Sequence, residues 1–144
     1  MRTSVLALAA VSVSLLLSSP AQAQTAQQIR TMLDATTKNW VAFRNYDGSQ
    51  LIYLTQLVTM KCGLKEVRFS LNSPALDHTF ELPECNWQVP FNVGSDTIPY
   101  LSMPLNTAQT ISVQVTYADG EKSRIYTYKP CDVDGDTTCA QLVE

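Results

Sequence analysis

Four cysteines constrain this chain more than any other feature: Cys62, Cys85, Cys131 and Cys139. Two of them fall at mirror positions about a turn. The stretches Leu64 to Leu71 and Leu76 to Leu82 both alternate, and Asn72-Ser73-Pro74-Ala75 between them is rich in turn residues. Pairing Leu71 with Leu76 sets Phe69 opposite His78 and Val67 opposite Phe80, a mostly apolar face. On the other face Ser70 meets Asp77, Arg68 meets Thr79 and Glu66 meets Glu81. Such alternation predicts a half-buried antiparallel hairpin. Continued to the hairpin base, the same register sets Cys62 opposite Cys85, within the reach that a disulfide demands. Cys131 and Cys139 then remain for each other and close a short loop. Each closure of this kind is worth about 2–4 kcal/mol. A four-cysteine metal site needs closely spaced cysteine pairs, and the chain has none.

The amino terminus agrees with bridged cysteines. Arg2 is followed by an apolar run from Val5 to Leu17, then by Pro20 and Ala21-Gln22-Ala23. That is the charged, apolar and small-residue order of a secretory signal peptide. Residues 1–23 are read as that peptide, and the mature chain is expected to start at Gln24. The apolar run is shorter than the roughly 20 residues that a spanning helix needs. No cysteine follows the cleavage motif, so no lipid anchor is expected. Export to the periplasm or the cell exterior would supply the oxidising conditions that disulfides require. Without Arg2 the chain has nine basic residues against thirteen acidic ones. This balance, with no Lys/Arg cluster, argues against nucleic acid and anionic lipid as partners.

Residues 24–48 read as an N-terminal helix and turn. Thr25 and Gln28 suit a capping box. Ile29, Met32, Leu33, Thr36, Trp40 and Phe43 share one face at helical spacing. The part from Trp40 to Tyr46 also suits a short strand. Asn45-Tyr46-Asp47-Gly48 is a turn signal. Residues 49–144 read as the main domain. Residues 50–61 suit a central strand buried on both faces. Trp87, Val89 and Phe91 alternate with polar residues around Pro90, which suggests an edge strand. Residues 98–103, bounded by Pro99 and Pro104, suggest another. Asp119-Gly120 predicts a two-residue type I′ hairpin. It would pair Ile111 with Tyr128, Val113 with Tyr126 and Val115 with Arg124, and on the polar face Ser112 with Thr127 and Thr116 with Ser123. The tail beyond Pro130 reads as a loop closed by Cys131–Cys139. The sum is a mainly β protein: a small antiparallel β-sandwich of about seven strands, or a flattened barrel, with one N-terminal helix.

Residues able to carry chemistry are few. His78 is the single histidine, and it lies on the apolar side of its strand with no serine and carboxylate placed to complete a triad. Glu81 and Glu84 could act as the general acid/base pair of a carboxylate-based glycan hydrolase, although two surface carboxylates near a loop carry little information. Met60 and Met103 are soft donors, but core packing explains them better than copper. Asp132, Asp134 and Asp136 alternate on a short loop and could converge on Ca2+. An EF-hand register fails there, because its sixth and twelfth positions would be Thr137 and Val143. A solvated acidic turn is the simpler reading. Trp40, Tyr46, Trp87, Phe91 and Tyr100 stand near turns or edges, where aromatics can meet a sugar chain or a protein partner.

The expectation is an exported, non-enzymatic binding or accessory module of the bacterial cell envelope that needs no cofactor. Its partner would be another envelope or extracellular protein. The alternatives are a Ca2+-binding secreted domain and the glycan hydrolase. Peptide mapping without reductant is expected to join Cys62 to Cys85 and Cys131 to Cys139. A link from either of the first two into the tail loop would overturn the layout.

Overall fold

A computed structural model describes residues 20–132 and 137–143. The first element among the described residues is helix α1 (Pro20–Ala35). Thr25 lies inside the helix, and its hydroxyl donates to the Ala21 carbonyl (2.9 Å) in place of the expected cap. Ile29 and Leu33, one turn apart, are fully buried, whereas Met32 turns outward. Those two side chains are worth about 1.5–3 kcal/mol each in apolar burial.

The helix stops at Ala35, short of the expected position near 43. A 3-10 turn at Thr37–Asn39 follows, and then strand β1 (Ala42–Tyr46). The segment 24–48 is thus not helix and turn alone, since its end belongs to a sheet. Asp47 and Gly48 both have positive φ, 48° and 72°, and close a tight hairpin from β1 to β2 (Ser49–Tyr53), with Tyr46 opposite Ser49. This is the type I′ geometry expected at Asp119-Gly120. Strand β2 is central, flanked by β1 and by β5 (Tyr100–Pro104), which is the expected proline-bounded edge. It ends at Tyr53, not at 61. Leu54, Leu57 and Val58, all fully buried, have helical spacing and lead into a short helix α2 (Thr55–Thr59). A 3-10 turn at Lys61–Gly63 completes the passage.

The second antiparallel sheet runs β4-β3-β6-β7-β8. Strand β3 (Leu64–Leu71) pairs with β4 (His78–Phe80) in the expected register, Val67 opposite Phe80 and Phe69 opposite His78. Strand β4 is shorter than expected. Leu76 adopts a positive φ, 51°, and its carbonyl accepts from the Arg68 guanidinium (Nη2, 2.6 Å) in place of a ladder bond. Strands β6 (Ile111–Tyr117) and β7 (Tyr126–Pro130) pair Ile111 with Tyr128 and Val113 with Tyr126, as expected. Nearer the turn the register slips by one. Thr116 faces Lys122, and Ser123 bonds Val115, so the pairs Val115–Arg124 and Thr116–Ser123 do not form. The loop has three residues, 118–120, with Tyr117 N–H donating to the Glu121 carbonyl (2.8 Å). Gly120 takes φ 92°, the left-handed residue that such a loop needs.

Two further expectations fail. Residues 81–99 form no strand, and Trp87 to Asn92 are consecutive turns. The tail is not all loop, because β8 (Ala140–Leu142) pairs with β7. Just before β8, Cys139 exchanges two backbone hydrogen bonds with Phe43 of β1, both 2.9 Å, and so ties one sheet to the other. The fold is a mainly β antiparallel sandwich with one main helix, with eight strands among the described residues. Both disulfides are present, Cys62–Cys85 and Cys131–Cys139, with Cα–Cα separations of 5.0 and 5.6 Å. They point to an oxidising, non-cytoplasmic compartment. No helix among the described residues is long and apolar enough to cross a membrane.

Both sheets and α1 share one core. Trp40 is fully buried in it, edge-on to Tyr126 at 5.1 Å, and its indole N–H donates to the Leu33 carbonyl (3.1 Å). Met60 and Met103 pack against this core, as their packing role predicts. Gln50 of β2 is buried, and its carboxamide both donates to the Ala108 carbonyl (2.9 Å) and accepts from the Ala108 N–H (2.8 Å). It thus replaces a strand neighbour for a buried backbone unit. Gln50→Leu keeps the volume and leaves both Ala108 groups unpaired. Its unfolding free energy in urea is expected to fall by about 2 kcal/mol. A loss under about 0.5 kcal/mol, the range of neutral surface changes, would show the pair to be dispensable.

Candidate functional site

The 3-10 turn Lys61–Gly63 organises the face with the most chemistry. Lys61 is buried, yet its ammonium meets no carboxylate among the described residues. It donates instead to the carbonyls of Asn92 (2.7 Å) and Pro90 (3.4 Å). Cys62 is crosslinked to Cys85. A Cβ on Gly63 would stand 2.3 Å from Ile29 Cγ2, so only glycine lets α1 lie this close. The carbonyl of Gly63 also accepts from the Ala118 N–H (2.8 Å). One turn therefore holds the 81–99 loop, helix α1 and the β6–β7 turn.

Local hydrogen bonds shape the loop. Asn86 accepts the Gln88 N–H on its side chain (2.9 Å), a local bond that favours turn over strand. Val89 N–H then donates to Asn86 and Asn92 N–H to Val89. Trp87 packs against the core. At the far end Leu54 N–H holds the Pro99 carbonyl (2.8 Å). Between these anchors Val89, Phe91 and Ile98 face solvent, with exposures of 46%, 45% and 65%. The charged residues of the loop are Glu81, Glu84 and Asp96, and no Lys or Arg occurs between Arg68 and Lys122.

Beside the loop lies a groove of about 360 Å³, lined by Ala26, Gln27, Arg30, Trp87, Tyr117 and Asp119 among others. Gln22 and Ala23 also border it, so the expected cleavage after Ala23 would widen that end. Arg30 spans from α1 to the β6–β7 turn. Its guanidinium donates to Asp119 and to Glu121 (2.7 Å) and lies 4.5 Å above the Tyr117 ring. The Tyr117 hydroxyl donates to Asp34 on α1. Burial, followed by the Asp34 carboxylate, pushes the Tyr117 hydroxyl above its usual pKa, so it stays a donor. The Asp119 carboxyl is held below its usual value, first by the Glu121 N–H and then by Arg30.

The five aromatics expected to bind do not form one surface. Trp40 is core, which corrects its place among them. Its flat apolar ring finds a full hydrogen bond inside, so exposure would gain it nothing. Tyr46 is exposed beside the β1–β2 turn under the Arg44 guanidinium, 4.5 Å away. Tyr100 stands at the other end of that sheet against Tyr53, 5.3 Å away. Trp87 and Phe91 are the two that share the loop. His78 is exposed and stacks on Phe69 at 5.2 Å. Glu81 and Glu84 are exposed and lie outside the groove. Asp132 is exposed, whereas Asp134 and Asp136 lie outside the described residues. Among the described residues no three side chains are grouped to hold a metal ion.

Sequence reasoning missed Arg30, Tyr117 and the second role of Asp119. Their partners lie 83 to 91 residues away, and no local spacing reports such contacts. No protein-family model, no curated protein and no solved structure matches this chain.

The clamp makes stability depend on acid. A carboxylate with a depressed folded pKa stabilises above its ordinary value and loses that contribution as pH falls through the folded one. Between about pH 5 and pH 2 the melting temperature of the parent is therefore expected to fall more steeply than that of Asp119→Asn. Parallel acid limbs would show that Asp119 contributes nothing through its charge.

Proposed function

We propose that this protein is an exported, non-enzymatic binding or accessory module of the bacterial cell envelope. It docks on another envelope or extracellular protein through the 81–99 loop. One observation carries this reading: the loop is pinned at Cys85, Trp87, Asn92 and Pro99, yet it holds Val89, Phe91 and Ile98 out to solvent. An irregular segment this long is uncommon in a compact domain unless it is functional or disordered, and these anchors give it fixed turns. Preorganisation lowers the entropy lost on docking. The loop is acidic and lacks any cation, so its partner would present an apolar cleft rimmed by Lys and Arg.

The test is site-specific photocrosslinking in producing cells, with the probe at Phe91 and, as a remote exposed control, at Tyr46. A discrete envelope adduct is expected from Phe91 alone. The substitutions Val89→Ser and Ile98→Ser should abolish it without lowering the melting temperature. Equal adducts from both positions, or none from Phe91, would sink the reading.

A further inference from the structure

The groove next to the loop has a different chemistry and need not serve the same partner. Trp87 is half-buried and backed by the core, so its ring is held in place. Its indole N–H makes no hydrogen bond among the described residues, and neither does the Gln27 carboxamide; both residues line the groove. Asp119 has lone pairs beyond those used by Arg30 and the Glu121 N–H. Ala26, Gly63 and Ala118 leave that part of the lining without bulk. The charge there is already on the acidic side. Arg30 is bound by Asp119 and Glu121 with Asp34 close by, and the other cation nearby is Lys65, beside Gly120. An anionic ligand would find no free cation in the lining.

We propose that this groove is a binding subsite for a neutral saccharide, with one sugar ring laid against the Trp87 indole. The ring face of an aromatic is negative, so it attracts the polarised C–H groups on the apolar face of a sugar. The hydroxyls at the sugar's rim each need a donor or an acceptor. The indole N–H, the Gln27 carboxamide and the Asp119 carboxylate supply both kinds. The volume, about 360 Å³ with Gln22 and Ala23 in place, lies within the usual range for small-ligand pockets. The side-chain set favours a sugar over an extended peptide, which would need a row of backbone partners that the helix side of this groove does not offer.

The chain has two tryptophans, and Trp40 is fully buried, so a ligand-induced change in indole emission reports on Trp87. The oxidised exported protein is titrated with soluble neutral chito-, cello- and malto-oligosaccharides. At least one series is expected to change the emission saturably. Calorimetry with that series should show binding weakened roughly fivefold to tenfold in Gln27→Ala, the loss of one hydrogen bond. Trp87→Phe, which keeps an apolar ring against the core, should weaken it further. Phe91→Ser should bind the sugar like the parent, so this proposal and the docking reading fail separately. The proposal is overturned if no series changes the emission, or if binding survives unchanged in both groove variants. Preferential binding of an acidic sugar or of a short peptide at Trp87 would overturn it equally.

Discussion

Three residues in a row, Lys61, Cys62 and Gly63, are buried, and each holds a different neighbour. Lys61 takes two carbonyls of the long loop, Cys62 takes Cys85, and Gly63 admits Ile29 and bonds Ala118. The ammonium is the expensive member. A buried charge is tolerated only when hydrogen bonds replace its water, and here backbone carbonyls do so. The loop carbonyls in turn gain a charged donor, a stronger partner than a neutral one. The order of the loop and the burial of the lysine therefore depend on each other.

The two sides of the groove are held by forces of different kinds. Helix α1 is seated by Ile29 and Leu33, whose burial is non-directional. The Arg30 clamp then sets the helix against the β6–β7 turn. Its members are partly exposed, and exposed ion pairs contribute little to stability. The value of the clamp lies in orientation. A planar guanidinium shared by Asp119 and Glu121, with Tyr117 beneath it, admits few arrangements of helix and hairpin.

How much could be read in advance depended on the range of the interaction. The pairs Val67–Phe80, Phe69–His78 and Ile111–Tyr128 were legible because alternation and a turn signal define an antiparallel register locally. The Cys62–Cys85 bridge followed from one of those registers. The alternation of Trp87, Val89 and Phe91 misled, because Asn86 and Pro90 favour turns and Lys61 captures the carbonyls that a strand would have needed. Asp47-Gly48 and Asp119-Gly120 share a dipeptide but not a turn. The difference is one residue of register, set by Ser123 bonding Val115 on the far side of the hairpin.

By itself the sequence determined the fold class, the registers of both hairpins away from their turns, and the two bridges. These rest on side-chain period and turn chemistry, which act between near neighbours. Tertiary structure alone decided that Trp40 is core and Trp87 faces a groove, that the tail supplies β8, and that Cys139 ties one sheet to the other. It also decided that Arg30 meets residues some 90 positions away. Contacts of that range arise only when separate elements compete for one core, and no local pattern records who wins.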